Sequence, residues 1–129
     1  MNAKIFIAQK YIQYLEAAEL PSLVGLFSED GIVLSPIYGT LAAKEFYAAL
    51  KEDTSQSRLT IKGIFEEATT GQVALYFQYE WTLQHGRQVT FDAVDILTFD
   101  ATNKITNLKI IYDTVQARTW VEELRETER

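Results

Sequence analysis

The chain has 129 residues, 47% hydrophobic and 23% charged, the proportions of one folded globular domain rather than a disordered segment. Its 12 basic and 18 acidic side chains leave a net charge of −6, and no two Lys or Arg are adjacent, so a surface that tracks nucleic-acid phosphates is not expected. Cysteine is absent and His occurs once, which removes disulfides, thiolate metal sites, Cys nucleophiles and His-rich metal centres from consideration.

From Ala3 to Ala18, Ile7, Ala8, Tyr11, Leu15 and Ala18 recur at helical spacing and predict an amphipathic helix with one inward stripe. Pro21 suits the first turn of a second helix through Leu23, Val24, Leu26 and Phe27, which Glu29, Asp30 and Gly31 would stop. Ile32 to Leu34 then reads as a brief strand, closed by a turn at Pro36 and Gly39. Leu41 to Lys51 is rich in helix formers, with Ala42, Phe46, Ala49 and Leu50 able to pack inward.

After Thr54 the period changes to that of strands. Segments near 59–67, 72–84, 88–99 and 104–112 are rich in β-branched and aromatic residues. Thr69-Thr70-Gly71, His85-Gly86-Arg87 and Asp100 to Asn103 separate them at hairpin lengths, which predicts an antiparallel meander. In the second of these segments Val73, Leu75, Phe77, Tyr79, Trp81 and Leu83 share one face, and Gln78, Glu80 and Thr82 the other. Thr114 to about Glu126 forms a last amphipathic helix through Val115, Ala117, Trp120, Val121 and Leu124. The expected fold is α+β in a single domain over 1–129, with helices covering one face of a curved antiparallel sheet.

No apolar run exceeds Val73 to Phe77, against the roughly 20 residues that cross a bilayer, and residues 1–13 lack a secretion-signal core, so a cytoplasmic address is expected. No spacing of acids matches a metal motif and the six glycines form no phosphate loop, so neither metal nor nucleotide cofactor is expected. His85, in a hairpin turn, is expected to be exposed.

Asp95 is the position that carries chemistry. Its strand places Val89, Phe91, Ala93, Asp95, Leu97 and Phe99 on one face, so a carboxylate interrupts an apolar row. Burial disfavours the charged form, and an acid kept neutral at pH 7 can donate a hydrogen bond. The alternatives are that Asp95 is satisfied by a buried polar partner or that a bulge turns it outward. Tyr11, on the inward stripe of the first helix, could meet Asp95 between helix and sheet, or be a core Tyr with one hydrogen bond. Tyr112 shares a strand face with Leu108 and Ile110 as a candidate cavity wall.

Tyr11-Ile12, Leu26 to Asp30, Pro36, Tyr38-Gly39, Phe46-Tyr47, Phe99-Asp100 and Lys104-Ile105, taken in order, resemble the ketosteroid isomerase and SnoaL-like branch of the nuclear-transport-factor-2-like superfamily. The resemblance runs from about Ala3 to Asp113. It implies a cone-shaped α+β fold whose open end leads to an apolar pocket, often in a dimer packed through the sheet. In ketosteroid isomerases a Tyr of the first helix and a protonated Asp of the sheet donate hydrogen bonds to a developing enolate oxygen, while another Asp moves the proton. By that resemblance Tyr11 and Asp95 are the catalytic pair. Tyr47 matches a Tyr that backs the oxyanion site, and Phe27 stands where some members carry another hydroxyl. The base's position, immediately before Pro36, holds Ser35, which cannot abstract a carbon-bound proton near pH 7; Glu80 could replace it only if its strand were inverted. SnoaL-like cyclases resemble the chain in relying on one sheet Asp as acid and base.

Two readings follow. In the first, Tyr11 and Asp95 polarise the oxygen of a small apolar carbonyl- or phenol-bearing molecule in an isomerase- or cyclase-like reaction, with Ser35, Tyr47, Phe27, Phe91, Phe99 and Tyr112 binding it. In the second, the chain is a non-catalytic dimeric ligand-binding or interaction module, paired through a sheet face carrying Tyr76, Val94 and Ile96.

Overall fold

The computed structural model describes residues 2–128. Helix α1 (Ala3–Ala17) starts where the Asn2 side chain accepts from the backbone N–H groups of Lys4 (2.9 Å) and Ile5 (3.2 Å), which satisfies two donors that a helix start leaves unpaired. It stops at Ala18, whose backbone turns left-handed at φ 57°. Pro21 sits in the first turn of α2 (Leu20–Val24).

The next segment departs from the sequence-based expectation. Phe27 does not end a helix; it opens strand β1 (Phe27–Ser35), which runs through Glu29, Asp30 and Gly31. The cause is tertiary: β1 lies parallel to β6 (Ile105–Ile111), with Phe27 opposite Ile105 and Val33 opposite Leu108, and Ile105 N–H donates to the Leu26 carbonyl at 2.9 Å. The register shifts between Phe27 and Ile32, and Gly31 fills that irregularity. A Cβ at Gly31 would stand 3.0 Å from both the Phe27 side chain and the Ile105 carbonyl oxygen. Strand β2 (Gly39–Ala42) then turns back antiparallel on β1, so α3 begins two residues later than expected, at Ala43, and runs to Asp53.

Strand β3 (Thr54–Glu66) follows α3 directly, and β4 (Val73–Leu83), β5 (Gln88–Phe99) and β6 complete the antiparallel meander. The strand order is β2-β1-β6-β5-β4-β3. The fold is therefore α+β, as expected, on a curved, unclosed sheet; the β1–β6 pairing makes that sheet mixed rather than wholly antiparallel. Its inner face buries Val73, Leu75, Phe77, Tyr79, Trp81 and Leu83 of β4 against Ala8, Tyr11 and Leu15 of α1 and Phe46 and Tyr47 of α3. Burial of this apolar area is the main source of stability.

Helix α4 (Val115–Thr127) buries Ala117, Val121 and Leu124 and is also pinned by long side chains. Arg118 donates to the Pro36 carbonyl (2.8 Å), and Arg125 grips Asp53, at the end of α3, through two bonds of 2.7 and 2.8 Å. Arg87 of the β4–β5 turn pairs with Glu123 (3.0 Å) and lies 4.5 Å from the Trp120 ring centroid. This packing corrects the expectation for His85, whose side chain is only 11% exposed, with Nε2 3.1 Å from Glu123 Oε2. A hairpin turn is exposed by default, but α4 returns over this one. Among the described residues no helix is long and apolar enough to cross a membrane.

Candidate functional site

Asp95 lies at the centre of β5, opposite Leu75 of β4 and Ile110 of β6, on the inner face of the sheet. It is 2% exposed, and its Oδ1 has no hydrogen-bond partner among the described residues. Burial pushes its carboxyl up to about 8, because the ionised form would lose its hydration in an apolar wall. The nearby Tyr11 hydroxyl favours the ionised form and offsets part of that rise, although no bond of ordinary hydrogen-bond geometry joins the two. The acid is therefore mostly protonated at pH 7.

Tyr11 of α1 and Tyr47 of α3 are both buried, and their hydroxyl oxygens stand 2.7 Å apart. Burial raises both phenols above their ordinary range, and the Asp95 carboxylate would raise them further. Either oxygen can be the donor. With Tyr47 donating to Tyr11, the Tyr11 proton is left for an oxygen brought into the cavity. The α1 stripe and the β5 alternation thus deliver one phenol and one carboxyl to the same space from elements 84 residues apart in sequence.

That space is a cavity of about 460 Å³, counting the part open to solvent, lined by Tyr11, Ser35, Phe91, Asp95 and Tyr112 among other residues. Phe91 and Tyr112 stack with ring centroids 4.1 Å apart and form one apolar wall. Tyr47 does not line it but supports Tyr11 from behind. Phe27 packs on Tyr47, centroids 5.8 Å apart, outside the lining. Phe99 also lies outside it, with the Lys4 ammonium 5.7 Å from its ring centroid. The resemblance implied Phe27 and Tyr47, and the strand face Phe99, as ligand-binding residues; none of the three is in the lining. Phe99 is two residues beyond Leu97, at the end of β5, and the register against β6 shifts between Thr98 and Phe99.

Ser35, the last residue of β1, accepts from the backbone N–H of Ile37 (3.2 Å) and Tyr38 (3.0 Å). Its oxygen shapes the β1–β2 turn, which leaves its own proton available toward the cavity. Glu80 lies on the outer face of β4, opposite Thr90, and reaches no part of the cavity.

Three site features escaped sequence reasoning. Tyr79 lines the cavity and shares a 2.7 Å hydrogen bond with Ser57 of β3; its inward position in β4 was the available signal. Tyr38 lines the rim and donates to Asp53 at 2.6 Å. Asp53, buried and held also by Arg125, carries no local signal, since its partners are 15 and 72 residues away. Among the described residues no group of three or more His, Asp or Glu could hold a metal ion.

Solved structures share this architecture. TerC, co-crystallized with polyporic acid, superposes with a TM-score of 0.79 at 21% identity, covering 94% of this chain and 99% of that one. An NTF2-like protein of unknown function from Burkholderia pseudomallei K96243 gives 0.78 at 15% identity, over 91% and 95% of the two chains. A putative SnoaL-like polyketide cyclase from Shewanella putrefaciens CN-32 gives 0.72 at 16% identity, over 98% and 88%. At such identities the likeness is one of fold. Residues 8–108, which span α1 through the middle of β6 and so include Tyr11, Tyr47 and Asp95, match the SnoaL-like domain, and the chain belongs to that family.

Proposed function

We propose that the chain binds a small, mainly apolar molecule in the Asp95 cavity and polarises a carbonyl or phenol oxygen of it with Tyr11 and protonated Asp95. The observation that carries this reading is a buried carboxyl with an unpartnered oxygen, facing an apolar cavity beside a phenol pair. Buried polar atoms are normally satisfied, and a ligand oxygen would satisfy this one. Two neutral donors aimed at one oxygen stabilise negative charge that develops there, as in enolate formation. A carboxyl poised near 8 can also return that proton, which suits the single acid–base residue of a cyclase-like reaction. That one protein of this fold, TerC, was co-crystallized with polyporic acid and another is a putative polyketide cyclase supports a small organic ligand.

The test is affinity for a neutral phenol such as 4-propylphenol, which mimics the enol. Each of Tyr11→Phe and Asp95→Leu should weaken binding about five- to tenfold, the worth of one buried hydrogen bond. Binding unchanged in both variants would refute the oxygen site.

A second reading, ligand binding without turnover, is favoured by Ser35, whose oxygen is committed to a turn where an isomerase would hold a carboxylate. Ser35→Asp distinguishes the two. Isomerisation of a β,γ-unsaturated ketone by the variant but not the parent would mean that the remaining site is preorganised for catalysis and lacked only its base. In either reading the chain acts as a homodimer paired through the outer face of the sheet.

A further inference from the structure

We propose that Arg118, at the rim of the Asp95 cavity, selects ligands that carry a carboxylate at the end away from the polarised oxygen. The inference rests on the oxygen site proposed above and adds the chemical class of the molecule that enters it.

Arg118 projects from the first turn of α4, and its Nη2 donates to the Pro36 carbonyl at 2.8 Å. Pro36 follows Ser35 and precedes Tyr38 by two residues, and both of these line the cavity, so the guanidinium, not itself part of the lining, is held beside two lining residues. Its charge is felt there: it favours the ionised form of the Tyr112 hydroxyl, against the larger effect of burial.

The partners of Arg118 set it apart from its neighbours. Arg87 and Arg125, the other guanidiniums that reach α4 or leave it, each hold a carboxylate, Glu123 at 3.0 Å and Asp53 at 2.7 Å. Arg118 has no carboxylate within 4.0 Å among the described residues and spends its contact on a carbonyl. A guanidinium has five N–H donors in a fixed fork, so most remain for a planar carboxylate. The Ser35 proton, left free by the turn geometry, is a further donor on the same rim.

The net charge of −6 gives the surface no general attraction for anions, so an acidic ligand would need this local cation. The cavity interior does not oppose it, because Asp95 is mostly uncharged at pH 7. A carboxylate taken deep would meet two neutral donors and no cation in exchange for its full hydration, so the rim is the better place for it. An acid with its apolar body and its carbonyl or phenol oxygen inside, and its carboxylate at Arg118, satisfies each of these constraints.

The experiment compares 4-propylphenol with 3-(4-hydroxyphenyl)propanoate, which differ by a terminal methyl against a carboxylate, in NMR titrations of the full chain at pH 7. Arg118→Gln keeps a donor for the Pro36 carbonyl and removes the charge; Arg118→Lys keeps the charge. The expected result is that the affinity ratio of acid to propylphenol falls about three- to tenfold in the Gln variant and largely survives in the Lys variant, the scale of a rim ion pair. On the parent protein, 0.5 M NaCl should weaken the acid and leave propylphenol unchanged, a check that needs no variant. An unchanged ratio in Arg118→Gln, or acid binding insensitive to salt, would overturn the proposal. If Tyr11→Phe weakens both probes, the oxygen site stands whatever Arg118 does; if neither probe binds the parent, both readings fall.

Discussion

A single carboxyl in an apolar wall makes the stability of the chain depend on pH in an unusual direction. In the unfolded chain Asp95 titrates near 4, and in the folded one at about 8. Below pH 4 both states hold the proton. Between about 4 and 8 the unfolded chain releases a proton that the folded chain retains, so unfolding becomes easier as pH rises, by at most about 1.4 kcal/mol per unit. Above 8 both states are ionised and this contribution to the slope ends. Asp95→Asn, an uncharged isostere, should remove the slope and be the more stable protein at pH 7 by on the order of a few kcal/mol, as measured by urea unfolding across pH 4–9. Equal slopes in parent and variant would mean that Asp95 ionises as an ordinary surface acid. The same substitution removes the acid of the proposed oxygen site, so on that proposal the position gives up stability for function.

The elements differ in how far their residues announce them. Strand β5 was read to its end residues, because alternation over twelve positions has one interpretation, and that alternation also exposed Asp95. The first half of β1 was unreadable, since Ser28 to Gly31 has no strand pattern and lies in the irregular stretch between Phe27 and Ile32, whose parallel partners Ile105 and Asn107 are 78 and 75 residues away. The pocket was legible as far as one inward residue per element could be named. What it lacked was α4, whose contacts with the β1–β2 turn, the end of α3 and the β4–β5 turn are all long range. Those contacts make α4 a strap across the β1–β2 turn, the end of α3 and the β4–β5 turn, and Asp53 with Arg125 is its strongest fixing. Among the described residues, Arg125→Met would leave the buried Asp53 carboxylate with the Tyr38 hydroxyl as its one side-chain partner. The expected cost is about 3 kcal/mol, read as a lowered urea midpoint. Trp120 of α4 packs against Arg87 of the β4–β5 turn, so its fluorescence reports whether the strap detaches before the sheet unfolds. A change of less than 0.5 kcal/mol would show that the pair is not what anchors α4.

At the scale of the whole molecule the inner face of the sheet is covered by helices and the outer face is not. Along that outer face Tyr76 stands opposite Val94 and Val94 opposite Ile111, with Ile96 two residues further along β5 on the same face. Ile111 is 48% exposed, and Tyr76, Val94 and Ile96 are half-buried only by their own neighbours. An apolar group running across three strands is more than the scattered exposure of a monomer surface, and a two-fold axis would let the same patch cover itself. The chain is therefore expected to scatter light at twice its 14.7 kDa at micromolar concentration. Ile96→Glu is the informative variant, because residue 96 lies opposite Lys109 of β6. A carboxylate there gains a cross-strand partner within one chain, so the fold is retained, whereas in a dimer it would be brought against an apolar surface or a like charge. The variant should therefore be monomeric, with its Tm near that of the parent once the dependence on protein concentration is removed. The cavity opens on the opposite side of the sheet, so 4-propylphenol affinity should survive the loss of pairing; a parent that is already monomeric would leave the outer face without its proposed partner.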